Sequence, residues 1–121
     1  AQKEILRLEQ EQVAAVNRGD IPGAVRMFDP SFIGFSSTRH ERISGLHALK
    51  RTFHHYLKRS PHMSYRIEKP HVHVSGSTAV ATFYWSVNLG KGRIVRGRGT
   101  HVFARQGKRW RVVHEHFSRA H

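Results

Sequence analysis

The chain has 121 residues, with 21 Lys and Arg against 8 Asp and Glu, which gives a formal net charge of +13 when histidine is neutral. This length suits one compact domain covering residues 1–121. The sequence contains no cysteine, which excludes disulfides, zinc-thiolate sites, iron–sulfur clusters and cysteine nucleophiles. No apolar run approaches the roughly 20 residues that span a bilayer, so we expect a cytoplasmic protein with no membrane partner.

The positive charge is spread along the whole chain, from Lys3 to Arg119, and forms no basic tail. Such a charge attracts polyanions through the summed field of the surface, but it confers no sequence specificity. No signature of a nucleic-acid-binding module accompanies it. We therefore expect nucleic acid to bind only non-specifically, through charge.

Apolar residues in the first half of the chain recur at three- and four-residue steps, which is typical of amphipathic helices. The first predicted helix covers residues 2–17. Asp20 can cap a short second helix that has Pro22 in its first turn. Residues 32–35 are predicted to form a strand, and Ser44 is predicted to cap a third helix.

After Pro61 the hydrophobic period changes to two, which indicates strands. The predicted strands cover residues 64–74, 78–88, 93–105 and 109–118. All three connections between them have hairpin length, which favours an antiparallel sheet with helices on one face. The predicted fold class is α+β: a cone of three N-terminal helices packed on a curved antiparallel sheet.

Several strings support a family resemblance: FDPSF, KPHVHVSGSTAVATFYW and GKRWRVVHEHFS. Together with the element order, they resemble the nuclear transport factor 2-like superfamily of SnoaL-like proteins. Three of these stretches are similar to the association (hub) domain of calcium/calmodulin-dependent protein kinase II: FDPSF, the PHVH string at residues 70–73 and the GKRWRVVH string at residues 107–114. The resemblance implies self-assembly, as a homodimer or a larger ring, through the outer face of the sheet. Because this fold hosts isomerases, dehydratases, cyclases and non-catalytic hubs, it does not select one activity.

The resemblance also implies which side chains point into the cone. In ketosteroid isomerase-like relatives a catalytic polar residue occupies the strand position held here by His101. The same alternation turns Glu115 inward, and the hairpin places it opposite or diagonal to His101. Glu115 could then orient His101 as a general acid or base. A purely structural pairing, with His101 or with an arginine such as Arg111, is the alternative.

An apolar pocket is expected around this pair, and its occupant would be a small hydrophobic ligand. Gly97 and Gly99, within one strand, suit sharp curvature and room for that ligand. The resemblance argues against steroid-type isomerisation, because Gly34 and Gln12 stand where those enzymes carry their base and their oxyanion-hole tyrosine. Val113 is expected to face inward. The pocket is expected to be lined by Phe32, Phe53, Phe83, Trp85, Val113 and Phe117.

Two histidine pairs, at positions 71 and 73 and at positions 114 and 116, each share one strand face, a spacing that zinc or copper accepts. Spacing alone is a weak signal, and no carboxylate joins either pair, since Glu115 alternates to the other face. We therefore expect no metal and no other cofactor. The four histidines are expected on the outer face of the sheet.

Two functions follow from these patterns. The first is a small-ligand-binding and oligomerisation domain of the SnoaL-like or kinase association-domain type. The alternative is a small enzyme of the isomerase, dehydratase or cyclase type. In that enzyme His101, assisted by Glu115, would act as general acid or base on a hydrophobic carbonyl or hydroxyl compound.

Overall fold

Three helices and six strands make up residues 1–120, the part of the chain that the computed structural model describes. The helices are α1 (Gln2–Asn17), α2 (Ile21–Val25) and α3 (Gly45–Arg59). The strands are β1 (Phe28–Phe35), β2 (Ile43–Ser44), β3 (Ser64–Ser75), β4 (Thr78–Gly90), β5 (Arg93–Gln106) and β6 (Arg109–Arg119). No helix among these residues is both long enough and apolar enough to cross a membrane.

The helix termini follow local chemistry that the sequence displays. α1 has the predicted bounds, and Gly19 just beyond it adopts a φ of 72°, which glycine tolerates without strain. The side chain of Asp20 accepts a hydrogen bond from the backbone N–H of Gly23 at 3.0 Å and so caps α2. Ser44 occupies the N-cap of α3 as predicted, although its side chain makes no capping hydrogen bond.

The six strands form one curved sheet in the order β2, β1, β6, β5, β4, β3. Neighbouring strands from β3 to β6 are antiparallel hairpin partners. β1, however, pairs in parallel with β6, so the prediction of a wholly antiparallel sheet is wrong. These two strands are far apart in sequence and share no hairpin, which leaves their relative direction free. α3 follows β1 and β2, so the helices are not all N-terminal to the sheet.

A β-bulge in β6 corrects one predicted pocket residue. His101 pairs with Glu115, but two residues later Phe103 pairs with Val112, so β6 contains one extra residue. An extra residue inverts the inward–outward alternation of a strand. Before the bulge, Trp110 and Val112 are therefore the buried residues. The prediction that Val113 faces inward is wrong, because Val113 is the extra, unpaired residue at the bulge.

The interior between helices and sheet contains two clusters of buried apolar side chains. The larger cluster includes Ile5, Phe28, Phe32, Leu49, Phe103 and Val112. The smaller cluster includes Ala15, Val16, Ala24, Tyr65, Phe83 and Trp85. Phe53 of α3 is partly buried and packs against both clusters.

Candidate functional site

Three buried ionisable side chains meet between the helices and the sheet: Glu9 of α1, His101 of β5 and Glu115 of β6, which we call the buried charge cluster. His101 Nδ1 lies 2.7 Å from Glu9 Oε2, and His101 Nε2 lies 2.7 Å from Glu115 Oε1. The register of the last hairpin places Glu115 directly opposite His101. Both ring nitrogens of His101 are thus used within the protein.

The two carboxylates determine the charge of the imidazole. Burial has the largest single effect and by itself lowers the pKa of His101. The attraction of Glu9, together with the hydrogen bonds to Glu115 and Glu9, outweighs burial and raises the pKa of His101 to about 10. At neutral pH the ring is an imidazolium that donates from both nitrogens.

Access to the buried charge cluster differs among its members. The side chain of His101 is 0% exposed and that of Glu9 is 1% exposed, whereas 11% of the Glu115 side chain is accessible. Glu115 binds His101 through Oε1 only, so Oε2 makes no hydrogen bond among the described residues. A molecule that reached the cluster would therefore meet Glu115 first.

Aromatic rings surround His101 and fill the space beside it. The ring centroids nearest to that of His101 belong to Phe83 at 5.3 Å and to Phe28 and Phe117 at 5.7 Å. Trp85 stacks on Phe117 at 5.8 Å. Aromatic residues of both core clusters therefore pack around the imidazole of His101.

The two glycines of β5 make room for these rings. A Cβ atom at Gly97 would lie 2.6 Å from Cζ2 of Trp85, and one at Gly99 would lie 2.5 Å from Cε1 of Phe83. The interpretation that the glycines leave room for a ligand is wrong, because the rings already occupy that room.

The family model of the SnoaL-like domain matches residues 5–121 of this chain. The chain belongs to the SnoaL-like family. This result confirms the resemblance seen in the sequence.

Solved structures with the same fold support the assignment. A nuclear transport factor 2-like protein of unknown function from Pseudomonas putida is 24% identical, with 96% of this chain and 84% of that chain covered at a TM-score of 0.88. A candidate calcium/calmodulin-dependent protein kinase II association domain from Xanthomonas campestris is 18% identical, with coverage of 99% and 88% and a TM-score of 0.81. A candidate ketosteroid isomerase from Parabacteroides distasonis is 25% identical, with coverage of 96% and 85% and a TM-score of 0.75.

The predicted site residues of this SnoaL-like domain do not all lie together. His101 and Glu115 are in direct contact, and Phe83, Trp85 and Phe117 lie on the same side of the sheet. Phe32 belongs to the larger core cluster, where its ring packs edge-on against Phe28 at 4.9 Å. Phe53 lies between the two clusters, and Val113 lies at the bulge outside this group.

Sequence reasoning missed Glu9, the second carboxylate on His101. The apolar pattern predicts a buried face of Ile5, Leu8, Val13 and Val16, of which Ile5 and Val16 are buried whereas Leu8 and Val13 are only half-buried. Glu9 and Gln12 are buried on this face as well. Residues 5, 9, 12 and 16 are separated by four, three and four residues, which is helical spacing. The polar residues at this spacing from Ile5 were therefore the sequence pattern that could have predicted a buried carboxylate.

Tyr65 of β3 brings a neutral phenol near the buried charge cluster. Burial, followed by the charges of Glu9 and Glu115, raises the pKa of Tyr65 well above its usual value of 10. The phenol therefore keeps its proton at any ordinary pH. Asn17 holds this part of β3 in place, because its side chain donates to Tyr65 O and accepts from Tyr65 N, both at 2.7 Å.

Proposed function

We propose that this SnoaL-like domain is a self-associating module that binds a small ligand and does not use His101 as a catalytic base. The observation that excludes His101 as the base is the state of its ring. The ring is fully buried and bound to a carboxylate at each nitrogen, and its pKa is raised to about 10. A general base needs a free lone pair near neutral pH and contact with the substrate. His101 has neither, and it is suited to holding α1 against the sheet.

The proposed self-association surface is the outer face of the sheet. Two cross-strand rows run across it, and neither contains lysine, arginine or a carboxylate. The first row contains Ile33, His114, Val102, Val80 and His73, and the second contains Phe35, His116, Thr100, Thr82 and His71. Ile33 is 43% exposed, and Tyr84 in the adjoining row is 54% exposed. A contiguous surface of this composition is suited to a second copy of the chain in a twofold pairing.

Replacing Tyr84 with lysine tests this surface. Tyr84 lies between Arg98 and Glu68 in its cross-strand row. In a twofold pairing the substitution introduces a new positive charge from each copy. We expect the dissociation constant to rise ~10-fold or more when an exposed aromatic residue at the interface is lost. Sedimentation equilibrium at high salt, which screens the general repulsion of a +13 chain, measures it.

The matched control for Tyr84→Lys is Ala14→Lys, which adds the same charge at an exposed position of α1 in the helix layer. It is expected to assemble like the wild type. A monomeric wild type at high protein concentration contradicts self-association. Equal weakening by both variants means that net charge, and not the outer face, controls assembly.

The ligand would bind at the accessible edge of Glu115. Phe117 lies two residues from Glu115 on β6, and Trp85 stacks on Phe117; these rings favour an apolar body, and the carboxylate favours a hydrogen-bond donor on it. This arrangement supports a small hydrophobic molecule that carries a hydroxyl or amine group.

The accessible share of Glu115 also favours a second candidate function, an enzyme in which Glu115 rather than His101 transfers the proton. The Glu115 carboxylate would remove a proton from the carbon next to a carbonyl group, which leaves an enolate. The protonated Glu115 would exchange its proton with solvent at its accessible edge and then protonate the same carbon, so the net change is exchange of the α-proton. His101 would act as a positioning residue, because its Nε2 holds Oε1 of Glu115.

Exchange of the α-protons of cyclohexanone for deuterium, followed by proton NMR in D₂O, tests this enzyme. The wild type is expected to accelerate exchange over buffer, and Glu115→Gln, which can still accept from His101, is expected to lose the acceleration. Glu41→Gln removes an exposed carboxylate before β2 and is the control. Exchange at the buffer rate in the presence of the wild type would remove the enzyme candidate and leave the binding module.

A further inference from the structure

A groove on the helix layer lies apart from the buried charge cluster. It runs between the C-terminal half of α3 and the junction of α1 and α2 at Gly19, and its volume is about 840 Å³. This volume is within the range of small-molecule sites, which is roughly 300–1,000 Å³.

The rim of the groove is cationic. Arg51, His54, His55 and Lys58 line it from α3. Their spacing of three, one and three residues places them along one face of the helix, and all four are exposed. None of the four forms a salt bridge with a residue in the described range 1–120. The rim therefore carries two permanent positive charges and two imidazoles without a compensating carboxylate.

The acidic residue that lies between the lining residues Gly19 and Ile21 in sequence is already paired. Asp20 follows Gly19 at one end of the groove, and its carboxylate accepts hydrogen bonds from Gly23 N at 3.0 Å and from Arg18 Nη2 at 3.1 Å. These two contacts lower the pKa of Asp20, with the backbone hydrogen bond as the larger cause. Asp20 is thus an anion that Arg18 neutralises, and it leaves the charge of the rim unchanged.

The floor of the groove is apolar. Ile21 of α2 and Leu57 of α3 are half-buried there, and Pro61 lies at the end beyond α3. A phosphate or another compact anion would leave this floor in contact with water. An alkyl chain attached to the anion would cover it.

We propose that the groove binds a free fatty-acid-type monocarboxylate. The carboxylate lies over His54 and His55, within reach of the long side chains of Arg51 and Lys58, and the alkyl chain lies along Ile21, Leu57 and Pro61. Arginine favours such a ligand, since its guanidinium can bind a carboxylate through two parallel hydrogen bonds.

Isothermal titration of the full chain with laurate tests the proposal through two charge-matched variants of α3. Arg51→Gln with Lys58→Gln removes two charges from the groove. Lys50→Gln with Arg59→Gln removes two charges from exposed positions of the same helix that do not line it. We expect a loss of affinity of ~10-fold or more in the groove variant, which removes two charge-assisted contacts. The control is expected to stay within about twofold of the wild type, because exposed charges outside the site are largely screened.

Three further probes separate this ligand from other anions. Acetate has the carboxylate without the chain, dodecyltrimethylammonium has the chain with the opposite charge, and both are expected to bind far more weakly than laurate. Equal losses in the two double variants would overturn the proposal, since binding would then follow net charge. Absence of laurate binding, or affinity confined to phosphatidylglycerol vesicles, would overturn it as well.

Discussion

Replacing His101 with leucine is expected to lower the free energy of unfolding by about 3–5 kcal/mol, the usual cost of breaking a buried ion pair by removing one partner. The substitution leaves the carboxylates of Glu9 and Glu115 in the interior without the imidazolium that now lies 2.7 Å from each of them. Urea denaturation followed by circular dichroism measures the loss.

A loss of this size can prevent His101→Leu from folding at all. A second variant therefore tests whether uncompensated charge is the cause of the loss. Glu9→Leu, His101→Phe and Glu115→Leu together replace the whole buried charge cluster with apolar side chains. Buried ionic groups replaced as a set are often neutral or stabilising, so the triple variant is expected to recover most of the stability. A triple variant as unstable as His101→Leu would show that uncompensated charge is not the cause.

The same cluster makes the stability of the wild type depend on pH. His101 has a pKa of about 10 in the folded protein, against 6.5 when unperturbed. Between these two values the folded state holds a proton that the unfolded state has released. The stabilisation is therefore complete below pH 6.5 and is lost as the pH rises toward 10. Melting temperatures from pH 6 to 10 are expected to fall more steeply for the wild type than for the triple variant. Parallel curves would contradict the raised pKa.

Local sequence signals predict the local parts of this fold. The bounds of α1, the cap at Asp20 and the three hairpins after Pro61 depend on periodicity and turn chemistry within a few residues. The parallel pairing of β1 with β6 depends on two strands that are distant in sequence, and the bulge at Val113 is one extra residue within a hairpin; no short pattern encodes either of them. Position 113 shows the consequence, since one extra residue is enough to invert a correct alternation.

The candidate site shows the same division between local and distant contacts. Hairpin arithmetic places His101 beside Glu115, and the structure has that contact. The role of His101 changes because of Glu9, which comes from a helix 92 residues away in sequence. With one carboxylate, His101 could have been a catalytic base; with two, it is a fixed cation. With both ring nitrogens of His101 bound, Glu115 is the accessible member of the buried charge cluster and the residue that a ligand could meet.

Replacing Gly97 with alanine is expected to destabilise the fold by roughly 3 kcal/mol, at the upper end for overpacking, because the new methyl group meets backbone. Its Cβ would lie 1.9 Å from the carbonyl oxygen of Ser118 and 2.6 Å from the ring of Trp85. Ser118 belongs to β6, the hydrogen-bonded neighbour of β5, so the two strands would have to separate. Urea denaturation gives the loss, and near-ultraviolet circular dichroism reports any displacement of Trp85.

Gly99→Ala on the same strand is the comparison that separates backbone from side-chain crowding. The atoms nearest to its Cβ would be ring atoms, at 2.5 Å from Phe83 and 3.1 Å from Phe117. Rings can turn where a paired backbone cannot, so a smaller loss of about 1–2 kcal/mol is expected. If Gly99→Ala lowered the free energy of unfolding more than Gly97→Ala, the rings of Phe83 and Phe117 would be more rigid than the paired backbone. The rings of Phe83 and Phe117 could then not move aside for a ligand at Glu115. Of the two proposed roles, only self-association through the outer face of the sheet would remain.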